Sequence, residues 1–95
     1  MKYQRSFIIE INSSLYTTVY ITDIIKNSLG YYYTKTSNVE NAKQWRYKKN
    51  CENSIETLIN KFDPTKFKPD DCKFDIIEIT DNQILRSIKL KRISK

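Results

Sequence analysis

Residues 51–62, CENSIETLINKF, decide the fold of this chain because they specify its clearest helix. Their apolar side chains recur with a period of 3.6 residues and therefore form one stripe along a helix. Asp63 and Pro64 end the helix because a proline disfavours the helical conformation in the residue before it. The pattern predicts an amphipathic helix over residues 49–62. Its apolar stripe consists of Cys51, Ile55, Leu58, Ile59 and Phe62.

Three strand-like segments precede this helix. Residues 6–12 (SFIIEIN) are rich in β-branched side chains, and residues 15–25 alternate with a period of two, so that the odd-numbered residues up to Ile21 share one face. A polar turn joins these two segments into a hairpin. A second turn, which contains Gly30, leads into a third strand over residues 31–36.

The segments on either side of the helix complete the predicted fold. Residues 37–40 fit a capping box that opens a short helical turn over residues 41–45. After the helix and a polar loop, strands are predicted over residues 73–80 and 84–93. We expect an α+β fold in the order β-β-β-α-β-β: a small antiparallel sheet of about five strands packed against one main amphipathic helix, plus the short helical turn. Residues 1–95 are expected to form a single domain.

The composition argues against catalysis and against bound cofactors. Histidine is absent, which removes the usual general base near neutral pH and the commonest metal ligand. Gly30 is the only glycine, whereas phosphate-binding loops need several. We therefore expect no enzyme, no cofactor and no metal site. Cys51 and Cys72 lack a zinc-binding spacing and are expected to remain free thiols.

The net charge of +6 is unevenly distributed. Residues 31–50 hold five cations and one anion, residues 63–81 hold three cations and six anions, and residues 82–95 hold five cations and no anion. Two basic stretches therefore bracket an acidic one, whose carboxylates lack the spacing of a calcium-binding loop. Lysines on a last edge strand would also hinder pairing with other chains. The second basic patch consists of Arg86, Lys89, Lys91, Arg92 and Lys95.

Aromatic side chains are interleaved with cations in residues 31–50. Sites for single-stranded nucleic acid combine cations with stacking rings, and tyrosine and tryptophan are also preferred contact residues of protein interfaces. A structural role stays open as well, because Tyr32 points away from its two neighbours in a strand and Trp45 suits a small core. The predicted partner-binding residues are Tyr31, Tyr33, Lys35, Lys43, Trp45, Arg46, Tyr47, Lys48 and Lys49.

The same region carries a family resemblance. The tyrosine-rich residues 31–34 lead into Asn41-Ala42-Lys43, an aromatic at Trp45 and the amphipathic helix over residues 49–62. This arrangement resembles small phage-encoded accessory proteins, including anti-CRISPRs. The resemblance implies a non-catalytic inhibitor. Many anti-CRISPRs are acidic mimics of nucleic acid, and the basic balance here departs from that group, which favours occlusion of a protein surface or contact with bound RNA.

These observations lead to one functional hypothesis and two alternatives. The first is a phage or mobile-element protein that inhibits a host protein or ribonucleoprotein, such as a CRISPR-type defence effector. The second is a basic protein that binds RNA or single-stranded DNA directly, and the third is a homodimer built from edge strands. Residues 1–12 lack a signal-peptide pattern and no stretch is apolar for long enough to cross a membrane, so we expect a cytoplasmic protein without a membrane partner.

Overall fold

The computed structural model describes residues 6–15, 17–79 and 90–94. Its elements are β1 (Ser6–Asn12), β2 (Val19–Asn27), β3 (Gly30–Thr36), a 3₁₀ turn (Val39–Asn41), α1 (Lys48–Asn60), β4 (Lys73–Ile79) and β5 (Leu90–Ser94). The strands form an antiparallel sheet in the order β3-β2-β1-β4-β5, and α1 packs against one face of it. The predicted α+β class, an antiparallel sheet with one main helix, is confirmed, whereas the bounds of several elements differ.

The main core lies between α1 and the central strands. Because side chains alternate along a strand, every second residue of β1 and β4 faces the helix. The helix turns Cys51, Ile55 and Leu58 inward, and burial of an aliphatic side chain stabilises the fold by about 1.5–3 kcal/mol. The buried residues of this cluster are Phe7, Ile9, Ile11, Val19, Ile21, Trp45, Cys51, Ile55, Leu58, Phe74 and Ile76.

The opposite face of the sheet is also covered near its centre. Ile8, Ile77 and Ile79 are buried there together with Ala42, which follows the 3₁₀ turn. With both faces covered, the consecutive β1 residues SFIIEI are all buried. Burial on two faces explains why this strand is almost continuously apolar instead of alternating.

A bulge in β2 reverses the alternation of its side chains. The pairing with β3 shifts by one residue between Ile21 and Asp23, and the hydroxyl of the intervening Thr22 lies 2.6 Å from that of Thr34. Ile21 faces the main core before the bulge, and the even-numbered Ile24 packs against it afterwards. Of the face predicted from the odd-numbered residues 15–21, Val19 and Ile21 lie in the main core, whereas Leu15 and Thr17 are exposed before the strand begins.

The start of β2 also differs from the prediction. The strand begins at Val19 instead of Leu15, which is an exposed loop residue. Asp71 fixes this loop against the segment before β4, because its carboxylate accepts a 2.7 Å hydrogen bond from the Ser13 hydroxyl and a 3.0 Å bond from the Ser14 backbone N–H. The polar turn that was predicted between the first two strands is thus part of a longer loop.

The Asp71 contact predicts a specific acid sensitivity. Hydrogen bonds from Ser14 and Ser13 hold the pKa of the Asp71 carboxyl at about 2. A carboxyl with a lowered folded pKa stabilises the protein above its unfolded pKa, near 4, and this contribution is lost as the pH falls through the folded value. We expect Asp71→Asn to lower the urea midpoint near neutral pH. This deficit, the difference in urea midpoint between the variant and the wild type, should narrow between about pH 4 and pH 2. A deficit that is constant across that range, measured by urea denaturation, would contradict this origin.

Helix α1 begins one residue earlier and ends two residues earlier than predicted. Leu58 is its last buried residue, whereas Ile59 is exposed, and Phe62 lies beyond the helix in a parallel bridge with Tyr31. The assignment of Ile59 to the apolar stripe was therefore wrong, whereas Phe62 does pack against the main core, but from beyond the helix. The chain leaves the helix to pair with the outer strand of the sheet, and that pairing overrides the helical period.

The short helical turn lies earlier than predicted. Asn38, and not Ser37, caps it, since the Asn38 side-chain oxygen accepts a 2.9 Å hydrogen bond from the backbone N–H of Glu40. The 3₁₀ turn ends at Asn41, and Trp45 lies in extended backbone.

A polar network joins the β2–β3 turn to the end of α1. The Asn27 side-chain oxygen accepts hydrogen bonds from the backbone N–H groups of Leu29 and Gly30, and its amide donates to Asp63 at 2.7 Å. Asp63 is fully buried, and its second oxygen accepts from the backbone N–H and the hydroxyl of Thr65. Hydrogen bonds from Asn27 and Thr65 hold the pKa of the Asp63 carboxyl below its usual range.

The end of the chain is described only in part. The last strand was predicted over residues 84–93; β5 covers Leu90–Ser94, and residues 80–89 lie outside the described residues. Within the part of the chain that is described, no helix has the length and apolar character that a membrane span requires.

Candidate interaction surface

The segment between the 3₁₀ turn and α1 is inserted where β1 and β2 separate. Those two strands pair at only two positions. Beyond them, the backbone N–H of Lys43 donates to the carbonyl of Ile21 at 2.9 Å, and Trp45 exchanges two 2.8 Å hydrogen bonds with Phe7. The inserted residues satisfy backbone groups of both strands, so they are held as part of the sheet.

Trp45 anchors this segment in the main core. Its side chain is only 9% exposed, and the Lys43 ammonium group lies 5.4 Å from its ring centroid. Trp45 was predicted among the partner-binding residues, but its buried ring leaves little surface for a partner. Its contribution is to fix the backbone on which the following side chains are presented.

The residues after Trp45 form an exposed aromatic and basic surface. Tyr47 is 58% exposed, and the Arg46 guanidinium lies 5.8 Å from its ring centroid. Lys43, Lys48 and Lys49 are exposed as well. These five residues, which we call the Lys43–Lys49 segment, combine a large ring that loses little side-chain entropy on binding with four cations.

Helix α1 begins in this segment against the usual rules for helix starts. Tyr47 occupies the N-cap position without a side-chain hydrogen bond, and the first turn holds Lys48 and Lys49 but no acidic residue. Cations at this end face the positive end of the helix dipole, and an uncapped start leaves backbone N–H groups to solvent. A 3.9 Å ion pair between Lys48 and Glu52, both partly exposed, offsets little of this. Residues that lower local stability, such as these lysines in the first turn, are expected at surfaces that serve binding.

The tyrosines of β3 do not join the Lys43–Lys49 segment. Tyr31 bonds through its backbone to Lys61 and Asp63, just beyond the end of α1, whereas Lys48 begins the helix. Since α1 has 13 residues, its ends are roughly 18 Å apart at 1.5 Å per residue. The predicted single surface is thus divided between two ends of the helix.

Tyr33 is mainly a packing residue. Its ring centroid lies 6.1 Å from that of Phe62 and 5.9 Å from that of Phe74, and it packs against the main core. Lys35, on the same strand, is exposed and stands opposite Ile21 in the β2–β3 ladder. Of the predicted β3 residues, Lys35 therefore offers the most exposed side chain.

Most of the second predicted basic patch lies outside the described residues. Arg86, Lys89 and Lys95 lie outside the described residues, and of Lys91 and Arg92 only the backbone in β5 is described. In the acidic stretch, Asp63 and Asp71 are engaged in separate networks, and Asp81 lies outside the described residues. Among the described residues, no three Cys, Asp or Glu side chains are grouped to hold a metal ion.

The two cysteines are free thiols, as expected. Burial raises the pKa of Cys51 to about 12, with a smaller contribution from Glu52, so this thiol stays protonated near neutral pH. Burial also raises the pKa of Cys72, partly offset by a hydrogen bond with Tyr33. Cys51 therefore acts as a small apolar residue on the inner side of α1.

Sequence reasoning missed a second basic and aromatic region in the loop after α1. Residues 65–68, TKFK, were interpreted as part of a polar loop, yet Phe67 is 68% exposed and its neighbours Lys66 and Lys68 lie over aromatic rings. The available signal was a phenylalanine between two lysines in a segment with no apolar period. Such a residue has no strand or helix face on which to be buried.

In comparisons with known proteins, no family model, no curated protein and no solved structure matches this chain.

Proposed function

We propose that this chain is a small non-catalytic binding protein that inhibits a host protein or nucleoprotein by covering part of its surface with the Lys43–Lys49 segment. The observation that carries the proposal is the exposed Tyr47 ring, set among four cations on a backbone that Trp45 and Phe7 hold in the sheet. Exposed tyrosine and arginine side chains are among those that most often dominate the binding energy of protein interfaces. A CRISPR-type effector of a host attacked by a phage is one target of this kind.

The partner is identified by capture from a host lysate. Tagged protein is incubated with lysate with and without nuclease, and both protein and nucleic acid are recovered. The proposal expects a discrete protein partner that survives nuclease treatment. Recovery of heterogeneous nucleic acid alone, lost after nuclease, would contradict it.

The contribution of the segment is tested by removing two of its charges. We expect Arg46→Ala combined with Lys48→Ala to weaken capture of the partner by about 10-fold or more, because charged contacts at an interface contribute about 1–3 kcal/mol in favourable cases. Both side chains are exposed, so the free energy of unfolding should change by no more than about 0.5 kcal/mol for each. The affinity for the captured partner is measured by titration calorimetry.

A matched control keeps the charge and changes the shape. Arg46→Lys with Lys48→Arg should retain most of the affinity if the cations act mainly through charge. If the double alanine variant binds as tightly as the wild type, then the Lys43–Lys49 segment is only scaffold and the proposed surface is wrong.

Direct binding of nucleic acid is the second candidate function. The uncapped start of α1 favours it, because helix N-termini with nearby cations bind phosphate groups well. Salt distinguishes the two candidates. Binding through several phosphate contacts weakens by orders of magnitude between about 50 and 200 mM salt, whereas an interface anchored by tyrosine weakens much less.

A further inference from the structure

The far end of α1 carries a second basic and aromatic surface, at the outer strand of the sheet. The Lys66 ammonium group lies 4.6 Å from the centroid of the Tyr32 ring, and the Lys26 ammonium group lies 5.9 Å from that of Tyr31. Beside them, Lys68 lies 5.5 Å from the Phe62 centroid. Cations from two segments of the chain, β2 and the loop after α1, therefore lie over the rings of Tyr31, Tyr32 and Phe62.

The lysines of this loop lie in the acidic stretch of the sequence, but Lys66 and Lys68 are not paired with its described carboxylates. The loop holds three carboxylates: Asp63 is fully buried and accepts hydrogen bonds from Asn27 and Thr65, Asp71 accepts from Ser13 and Ser14, and Asp70 is exposed. Lys66 is near enough to lower the pKa of Asp63, but the Asp63 carboxylate is out of reach of a partner. Within the described part of the chain, neither Lys66 nor Lys68 forms an ion pair. Their charges are available to an anionic ligand.

The ring of Phe67 is exposed and belongs to neither core cluster. It is 68% exposed between Lys66 and Lys68, although a phenylalanine in water forgoes the stabilisation that burial would bring. The rings of Tyr31 and Tyr32 are half-buried and already lie under lysines. Phe67 is thus the ring of this surface that is open for stacking with a ligand.

The backbone presents Phe67 from a loop that is fixed on both sides. The backbone N–H of Lys66 donates to the carbonyl of Asp63 at 3.0 Å, and Thr65 bonds to the Asp63 carboxylate. On the other side, Pro69 is buried and its carbonyl accepts from the backbone N–H of Cys72 at 3.1 Å. The three residues between these anchors, Lys66 to Lys68, form the tip of the loop, in which Lys66 and Phe67 are exposed and Lys68 is half-buried.

We propose that this tip is a binding site for single-stranded nucleic acid, separate from the Lys43–Lys49 segment. Phe67 stacks on a base, and Lys66 and Lys68 contact the phosphates on either side of it. A stacking ring between cations reads no base edge, so binding is tolerant of sequence. An acidic peptide would satisfy the lysines but offers no base to the ring, and it therefore fits the tip less well. This inference does not rest on the proposed function, which concerns the other end of α1.

The site is tested by fluorescence anisotropy with a labelled 12-nucleotide oligo-dT and an abasic oligonucleotide of the same length. We expect Phe67→Ala to weaken oligo-dT binding by about 10-fold and to leave binding of the abasic strand unchanged, because only the base contact is removed. We expect Lys66→Gln with Lys68→Gln to reduce the slope of log affinity against log salt by about 1.4, since each phosphate contact contributes about 0.7. Phe67 is exposed, so its variant should remain folded.

The outcomes separate this site from the proposed function. The Arg46→Ala, Lys48→Ala variant should bind oligo-dT as the wild type does, and Phe67→Ala should retain the captured protein partner. The inference is overturned if the wild type does not bind oligo-dT, if Phe67→Ala affects both strands equally, or if poly-glutamate competes as well as the oligonucleotide does. None of these results decides whether the Lys43–Lys49 segment holds a protein.

Discussion

Replacing Gly30 by alanine is expected to lower the free energy of unfolding by about 3 kcal/mol or more. Gly30 has a φ of +142°, a conformation that residues with a β-carbon rarely adopt and that stores about 1–3 kcal/mol of strain in them. An added Cβ would also lie 2.5 Å from the carbonyl oxygen of Lys61 and 3.0 Å from the backbone nitrogen of Asp63. Both are backbone atoms that bond to Tyr31, so neither can move without breaking the bridge to β3.

Urea denaturation followed by circular dichroism measures this effect. Ser28→Ala, in the same turn and exposed, is the matched control and should change the free energy of unfolding by no more than about 0.5 kcal/mol. If Gly30→Ala unfolds at the same urea concentration as the wild type, then the close approach of the β2–β3 turn to the end of α1 is not present in solution. The same variant should also weaken oligo-dT binding, because the loop that carries Phe67 begins at this contact.

The helix could be predicted from the sequence because the residues that recur at helical spacing are largely the ones that the helix buries. Cys51, Ile55 and Leu58 recur at helical spacing and all three pack against the sheet. Ile59 fits the same spacing but is exposed, and Phe62 lies beyond α1, where the chain pairs with Tyr31. That pairing joins residues far apart in the sequence, and no local pattern announces it.

The bulge in β2 was equally hidden. Thr22 and Asp23 lie between strand-forming isoleucines, and the sequence does not indicate which residue is the extra one. The shift in register is defined only relative to the partner strand β3, and it places Ile24 instead of Asp23 against the main core. Register is a property of two paired strands. The sequence of one strand therefore predicts which residues share a face only up to the first bulge.

The candidate surface was predicted in its residues but not in its arrangement. Arg46, Tyr47 and the adjacent lysines are contiguous in sequence, so any fold keeps them together. Tyr31 and Tyr33 were grouped with them on composition, yet the hairpin places Tyr31 at the other end of α1. Phe67 was overlooked because exposure in a loop depends on how the loop is held, here in part through Asp63, which accepts a hydrogen bond from the distant Asn27.

Replacing Trp45 by alanine is expected to cost about 3–5 kcal/mol of stability, the range for truncating a buried large aromatic side chain. Its ring is one of the largest side chains of the main core, and its backbone pairs with Phe7. Loss of the ring leaves a cavity beside α1 and removes the anchor of the inserted segment. For a domain of this size the melting temperature should fall by about 12 °C or more.

Trp45→Phe separates anchoring from the size of the ring. Phenylalanine keeps an aromatic anchor in the same place, so this variant should lose less stability than Trp45→Ala and should retain binding of the captured partner through Tyr47. Thermal melts by circular dichroism, together with the partner affinity measured well below the melting temperature, test both statements. If Trp45→Phe remains folded but loses the partner to the same extent as Arg46→Ala with Lys48→Ala, then the indole itself contacts the partner and its role as a buried anchor is wrong. If both Trp45 variants keep full affinity while folded, the position of Tyr47 does not depend on the anchor, and the rigidity on which the proposed interface relies must come from the start of α1 alone.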